Sequence, residues 1–169
     1  MGRILFYTDG CAKPDGSSGL GCVIYFEEAA KIQLYSRPLS LDGDYGRRAL
    51  NAEKEAVRFG GYLAAHLPKT GQIELSESSV ILFSDCIRVV GDLVKRHLKE
   101  NSGNARPAKN NNDSLVGHFS GIEHRKRTRE FMPLADALSN MASRGMEIRT
   151  GAMDFKGYDI RSYLQNIIT

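Results

Sequence analysis

ILFYTDGCAKPDGSSGLGCVIYF, residues Ile4 to Phe26, holds two apolar runs on either side of a turn-rich segment. Ile4 to Tyr7 has the length and composition of a buried strand, and it delivers Thr8, Asp9 and Gly10 to its end. A carboxylate at that place needs something cationic to meet it. Lys13 to Gly19, with one Pro and several Gly and Ser, predicts a turn, and Leu20 to Phe26 a second strand at the distance of an antiparallel hairpin. Taken alone, Asp9 has an equally good plain explanation, because Asp-Gly is a common turn pair.

Working outward, Ile32 to Ser36 (IQLYS) alternates apolar and polar and predicts a third, half-exposed strand after a hairpin loop at Glu27 to Lys31, which makes a meander. Arg37 to Arg48, with Pro38, Gly43 and Gly46, reads as a loop. Ala52, Ala56, Phe59, Leu63 and Leu67 then recur at helical spacing, so an amphipathic helix is expected from about Asn51 to His66. Gly60 and Gly61 weaken it by roughly 1 kcal/mol each relative to Ala, which implies either a close backbone approach or a bend. Glu53 falls in the first turn of this helix, where an acid complements the macrodipole, and Glu55 does the same; position alone does not choose between them.

The pattern of the first strand returns at Val80 to Phe83, an apolar run ending in Ser84-Asp85-Cys86. Two strands that each end in Asp bring both carboxylates to one sheet edge if they are parallel neighbours. A helix follows, with Ile87, Val90, Val94 and Leu98 inward, and the alternation of strand and helix after a meander is an α/β pattern. Asn101 to Ser114, poor in apolar residues and carrying Arg106 and Lys109, predicts a mobile basic loop. Leu115 to Phe119 reads as a short strand. Phe131, Leu134, Ala135, Leu138 and Met141 predict a helix from near Glu130 to Ser143, with Pro133 in its first turn. Asp136 interrupts the apolar-rich part of that helix.

At 169 residues, 41% hydrophobic and 25% charged, the chain fits one domain with a proper core. No apolar run approaches the length that spans a bilayer, and Asp9 interrupts the N-terminal run too early for a secretory signal, so a soluble intracellular protein is expected, cytoplasmic if bacterial or phage. Three cysteines, Cys11, Cys22 and Cys86, without C-x-x-C spacing argue against a disulfide framework or a structural zinc site and read as reduced thiols. The net charge of +3 is unevenly spread: Lys95 to Arg129 holds nine Lys and Arg against three acids. That segment is biased toward polyanions, although charge runs also serve as plain solvated surface.

YTDGCAKPDGSSGLGCVIYF, then NAEKEAV, ILFSDC, GHFSGI and LADAL, spanning about Ile4 to Arg144, together resemble the type I ribonuclease H family. That family's order is strand Asp, helix Glu, strand Asp, loop His, helix Asp. The resemblance implies a ribonuclease H-like mixed five-stranded sheet, three antiparallel strands followed by two parallel ones, flanked by helices. Through the family's Ala-Glu-x-Glu-Ala motif, matched by Ala52 to Ala56, it selects Glu53 over Glu55. It implies that Asp9, Glu53, Asp85 and Asp136 hold two Mg²⁺ ions, with Mn²⁺ as a substitute, and that His118 assists proton transfer or product release. A surface histidine after Gly117 is the plain alternative for His118.

The implied activity is metal-dependent cleavage of the RNA strand of an RNA–DNA hybrid, leaving 5′-phosphate and 3′-hydroxyl ends. The sequence departs from the family on either side of the catalytic-acid motifs. Ala49 and Leu50 stand where polar residues often feel the hybrid's minor groove, with Asn51 displaced, and Cys86-Ile87 follows Asp85. Reading of the 2′-hydroxyl then falls to backbone groups at Gly10, Cys11 and Ala12 and to Asn51, and phosphate contacts to Lys95, Arg96, Lys109 and Arg125. The longer, basic stretch between His118 and Asp136 leaves the register there open. Two rivals are a nuclease of the same fold acting on duplex or branched DNA and a non-catalytic nucleic-acid-binding module. Residues 145–169 lie beyond the resemblance; a strand near Glu147 to Thr150 and a helix over Tyr158 to Ile168 are expected to pack on the same monomeric domain, a protein-binding tail being the alternative.

Overall fold

The computed structural model describes residues 2–66, 79–86, 88–89, 131–157 and 159–168. Their elements are β1 (Arg3–Ala12), β2 (Ser18–Phe26), β3 (Lys31–Leu39), α1 (Tyr45–His66), β4 (Ser79–Ser84), α2 (Met132–Ser143), β5 (Ile148–Arg149), β6 (Met153–Asp154) and α3 (Ile160–Ile168). They build a mixed six-stranded sheet in the order β4-β1-β2-β3-β5, with β6 also on β3. β1 and β4 are parallel; every other pair is antiparallel. This is the ribonuclease H-like architecture. The fifth strand expected at Leu115 to Phe119 and the loop at Asn101 to Ser114 lie outside the described residues. So does the helix after Asp85, apart from Arg88 and Val89, which are helical.

Several boundaries differ from the sequence-based expectation. β1 does not end at Tyr7: it continues through Asp9 to Ala12, paired with β2 as far as Ala12 opposite Ser18, so Asp9 sits within a strand. The hairpin turn is correspondingly short, closed by the Lys13 amide on the Ser17 carbonyl at 2.8 Å. β3 does not stop before Pro38, because β5 pairs only Tyr35 and Ser36 of it; among the described residues Pro38 lies on an open edge where no amide is required. Nor is β3 half-exposed. Ile32 to Ser36 are all buried, and Ser36 Oγ donates to the Met146 carbonyl at 2.8 Å.

Helix α1 begins six residues earlier than Asn51, at Tyr45. Asp44 caps it, its Oδ1 accepting the Arg47 amide at 2.8 Å, an N-terminal signal present in the sequence but hidden among glycines. Arg48 then ties this end to the hairpin, donating to the Lys13 carbonyl at 3.1 Å. Gly60 resolves as a close approach: a Cβ there would stand 2.7 Å from Thr8 Cγ2 and 3.0 Å from Leu82 Cδ1, so the helix is pressed onto β1 and β4.

Alternation along β1 divides the core into two halves. Ile4 and Phe6 face α1, packing with Val57, Ala64, Val80 and Leu82. Leu5 and Tyr7 face the other way, with Phe131, Leu134 and Leu138 from the α2 side and Tyr163 of α3. Tyr7 stacks on Phe83 at 4.8 Å between centroids, and Phe131 lies edge-on to Tyr7 at 5.3 Å. The C-terminal residues belong to this half: Phe155 meets Phe131 at 5.2 Å and Tyr25 at 5.3 Å.

Candidate active site

Strand parity decides where Asp9 points. It shares the face of Leu5 and Tyr7, so its carboxylate enters the α2 side, where it is 6% exposed and Ser139 Oγ donates to its Oδ2 at 2.5 Å. The parallel register sets Thr8 level with Ser84, so Asp9 and Asp85 leave neighbouring strands at the same height. Thr8 Oγ1 donates to the Phe83 carbonyl at 3.1 Å across this pair, and the Cys86 amide donates to Ser84 Oγ at 3.2 Å in the turn that presents Asp85. Because β4 ends at Ser84 while β1 runs on, β4 leaves the edge of β1 open beside Asp9 and Gly10.

Glu53 reaches this place from the opposite helix layer. It lies more than two turns inside α1, not in its first turn, which removes the macrodipole explanation. Gly10 makes the approach possible: a Cβ on it would lie 2.2 Å from the Ala52 carbonyl carbon and 2.4 Å from the Glu53 amide nitrogen. The Gly10 amide favours the ionised form of the Glu53 carboxylate. Among the described residues, Glu53 Oε2 is buried without a hydrogen-bond partner.

One carboxylate oxygen from each of Asp9, Glu53 and Asp85 lies within 4.8 Å of the others. Asp136, exposed on α2, stands outside that group, its Oδ1 accepting from Asn140 Nδ2 at 3.1 Å. Its charge nevertheless reaches the cluster. Burial, then the charges of Asp85 and Asp136, push Asp9 up to about 7 against the opposing hydrogen bond from Ser139. Burial, then Asp9 and Asp85, push Glu53 up to about 8 against the Gly10 amide, with Asp136 adding to the rise. Such crowding of acids, with one oxygen unpaired, fits hard divalent cations that take oxygen ligands.

Of the other residues singled out in the sequence, Cys11 is half-buried with Sγ 3.5 Å from Asn140 Oδ1, Ala12 is buried and Asn51 is half-buried on α1. Lys95, Arg96, Lys109, His118 and Arg125 lie outside the described residues. Ser139 and Asn140 are at the site although nothing in the sequence points to them. Asn140 Oδ1 accepts from Lys13 Nζ at 2.5 Å, which joins the hairpin to α2. Polar residues three and four places after an acid are too common to stand out before the helix is docked.

No family model matches the sequence, and no curated protein matches it. Solved structures do. LC11-RNase H1 in complex with an RNA/DNA hybrid superposes with a TM-score of 0.54 at 19% identity, over 84% of this chain and 97% of that one. A second LC11-RNase H1 structure, of a protein isolated from compost by a metagenomic approach, gives 0.53 at 21% identity over 86% and 98%. The foamy viral protease-reverse transcriptase in complex with dsDNA gives 0.54 at 21%, over 86% and 95%. At these identities the likeness establishes the fold.

Proposed function

We propose that this chain, with its ribonuclease H-like fold, is a divalent-cation-dependent nuclease that cuts the RNA strand of RNA–DNA hybrids. The observation that carries the reading is the meeting of Asp9, Glu53 and Asp85, from two strands and a helix, around an unpaired buried oxygen of Glu53. The structural neighbour bound to an RNA/DNA hybrid supports the choice of substrate.

Asp9, Glu53 and Asp85, with Asp136 at the margin of the group, are the residues that would hold Mg²⁺, or Mn²⁺ in its place. When bound, a pair of such ions would supply an activated water and stabilisation of the leaving oxygen for phosphodiester hydrolysis to 5′-phosphate and 3′-hydroxyl ends. The protein's part is geometric. The sheet fixes Asp9 and Asp85 at one height, the Gly10 amide favours the ionised form of Glu53, and burial of Asp9 keeps water from one wall of the site. Asp85 and Asp136 are exposed, so a phosphodiester approaches from their side. His118 is assigned proton transfer or product release, Lys95, Arg96, Lys109 and Arg125 the phosphates, and Gly10, Cys11, Ala12 and Asn51 the minor groove.

The test is cleavage of an end-labelled hybrid beside RNA duplex, DNA duplex, single strands and a branched junction, with Mg²⁺, Mn²⁺ or EDTA. Asp85→Asn controls for contaminating nuclease. Metal-dependent loss of the hybrid's RNA strand alone, absent in the variant, is expected. Cutting of DNA or a junction would keep the acidic site and overturn the substrate; binding without cleavage would make the chain a recognition module.

A further inference from the structure

We infer that Ser139 is a positioning residue of the acidic site: its hydroxyl fixes the rotation of the Asp9 carboxylate, holding Oδ2 against α2 and leaving the other oxygen for the cation. The inference rests on the divalent-cation reading above. Ser139 is 0% exposed, and its Oγ lies 2.5 Å from Asp9 Oδ2 and 2.9 Å from the Asp136 carbonyl. A hydroxyl has one proton and an ionised carboxylate only accepts, so with a cation in place the proton belongs to Asp9. The Asp136 carbonyl, at 2.9 Å, is the alternative acceptor for the same proton, and the charged carboxylate outcompetes it.

Asp9 requires such a partner because its end torsion is soft. An aspartate carboxylate rotates broadly about its last bond, so the strand backbone places the group without choosing which oxygen faces outward. An oxygen turned inward without a partner also costs the full desolvation of a buried acceptor. Ser139 supplies both the partner and the choice. Its neighbour Asn140 does the corresponding work for Asp136, donating to its Oδ1 at 3.1 Å and to its carbonyl at 2.9 Å. One turn of α2 thus holds an acid of the strand and an acid of the helix in register.

A serine that merely satisfied a buried acceptor would matter to the metal-free fold and not to the ion. The test therefore measures Mn²⁺ affinity, by the electron paramagnetic resonance signal of free Mn²⁺, and melting in EDTA, on the whole chain as wild type, Ser139→Ala and Ser139→Cys. Loss of an outer partner of a metal ligand typically costs about 10- to 100-fold in metal affinity. Ser139→Ala is expected to bind Mn²⁺ about 10-fold more weakly at a metal-free melting temperature within a few degrees of wild type, with Ser139→Cys, a weak donor of similar size, between the two. Unchanged affinity in either folded variant overturns the inference. So does failure of both variants to fold in EDTA, because the hydroxyl then serves the fold. If wild type binds no Mn²⁺, the cation reading itself falls, an outcome distinct from the other two.

Discussion

Glu53 and Asp9 are acids placed where a folding chain would ordinarily put apolar groups, and that placement has a sign. Both are raised, from 3.8 to about 7 for Asp9 and from 4.5 to about 8 for Glu53. Between the ordinary and the raised values the folded chain therefore binds more protons than the unfolded one. The stability this confers is fully present below the unfolded values and is lost as pH rises through about 7 and 8. Without metal, the melting temperature is expected to fall between about pH 5.5 and about pH 8.5, and Mg²⁺ should restore it far more at the upper end, because binding requires the ionised acids. A melting temperature in EDTA that rises over this range would contradict the crowding. Glu53→Gln sharpens the point: it removes a charge from a site with an unpaired oxygen and so should stabilise the metal-free fold. It should also lower Mn²⁺ affinity and cleavage by at least the roughly 100-fold that loss of an outer-shell partner reaches. Denaturant melts in EDTA and Mn²⁺ titration read the two effects separately.

Elements carry these residues to their places through backbone contacts that no side-chain pattern announces. Gly10→Ala would drive a Cβ into the Ala52–Glu53 backbone, so α1 must move away from β1. Overpacking of this kind costs about 1–3 kcal/mol or more in denaturant melts, and cleavage should fall further than that, since Glu53 moves with the helix. The same distinction explains what was legible in the sequence. Apolar runs and helical spacing marked β1, β2, β4 and α2, because these signals lie within single elements, whereas Asp9, Glu53 and Asp85 were singled out by the resemblance across several segments, position alone leaving Glu53 and Glu55 equal. The cap at Asp44 sits in a glycine-rich stretch that reads as a loop, and Pro38 conceals the end of β3 because its edge position depends on which strand lies beyond it. Ser139 acquires meaning only once α2 lies across β1. Phe131 shows the reverse case, visible as an apolar position yet set by tertiary contact with Tyr7, Tyr25 and Phe155 at 5.0–5.3 Å. Phe131→Ala is expected to cost about 3–5 kcal/mol in urea melts while leaving the acids in place, so that residual activity tracks the folded fraction.

Across the whole molecule the site lies where the sheet loses a strand: β4 stops at Ser84, β1 continues, and acids from these two strands and from α1 converge there. The proposed site is anionic, and its proposed substrate is a polyanion, so close approach would require compensating positive charge elsewhere on the protein. The sequence concentrates that charge in Lys95 to Arg129, nine Lys and Arg against three acids. If this segment neutralises phosphates, binding must release counterions, and affinity for a hybrid must fall steeply with salt. Replacing Arg125, Lys126, Arg127 and Arg129 together by Ala, in the Asp85→Asn protein so that the substrate survives, should weaken hybrid binding at low salt. It should also make the slope of log affinity against log salt concentration shallower by about one for each phosphate that is no longer neutralised. Filter binding between about 50 and 200 mM salt, the range over which such neutralisation changes affinity most visibly, reads both quantities. A weaker but equally salt-sensitive variant would mean that these four residues act through the fold, and the groups that meet the phosphates would then be sought among Lys95, Arg96, Lys99, Arg106 and Lys109.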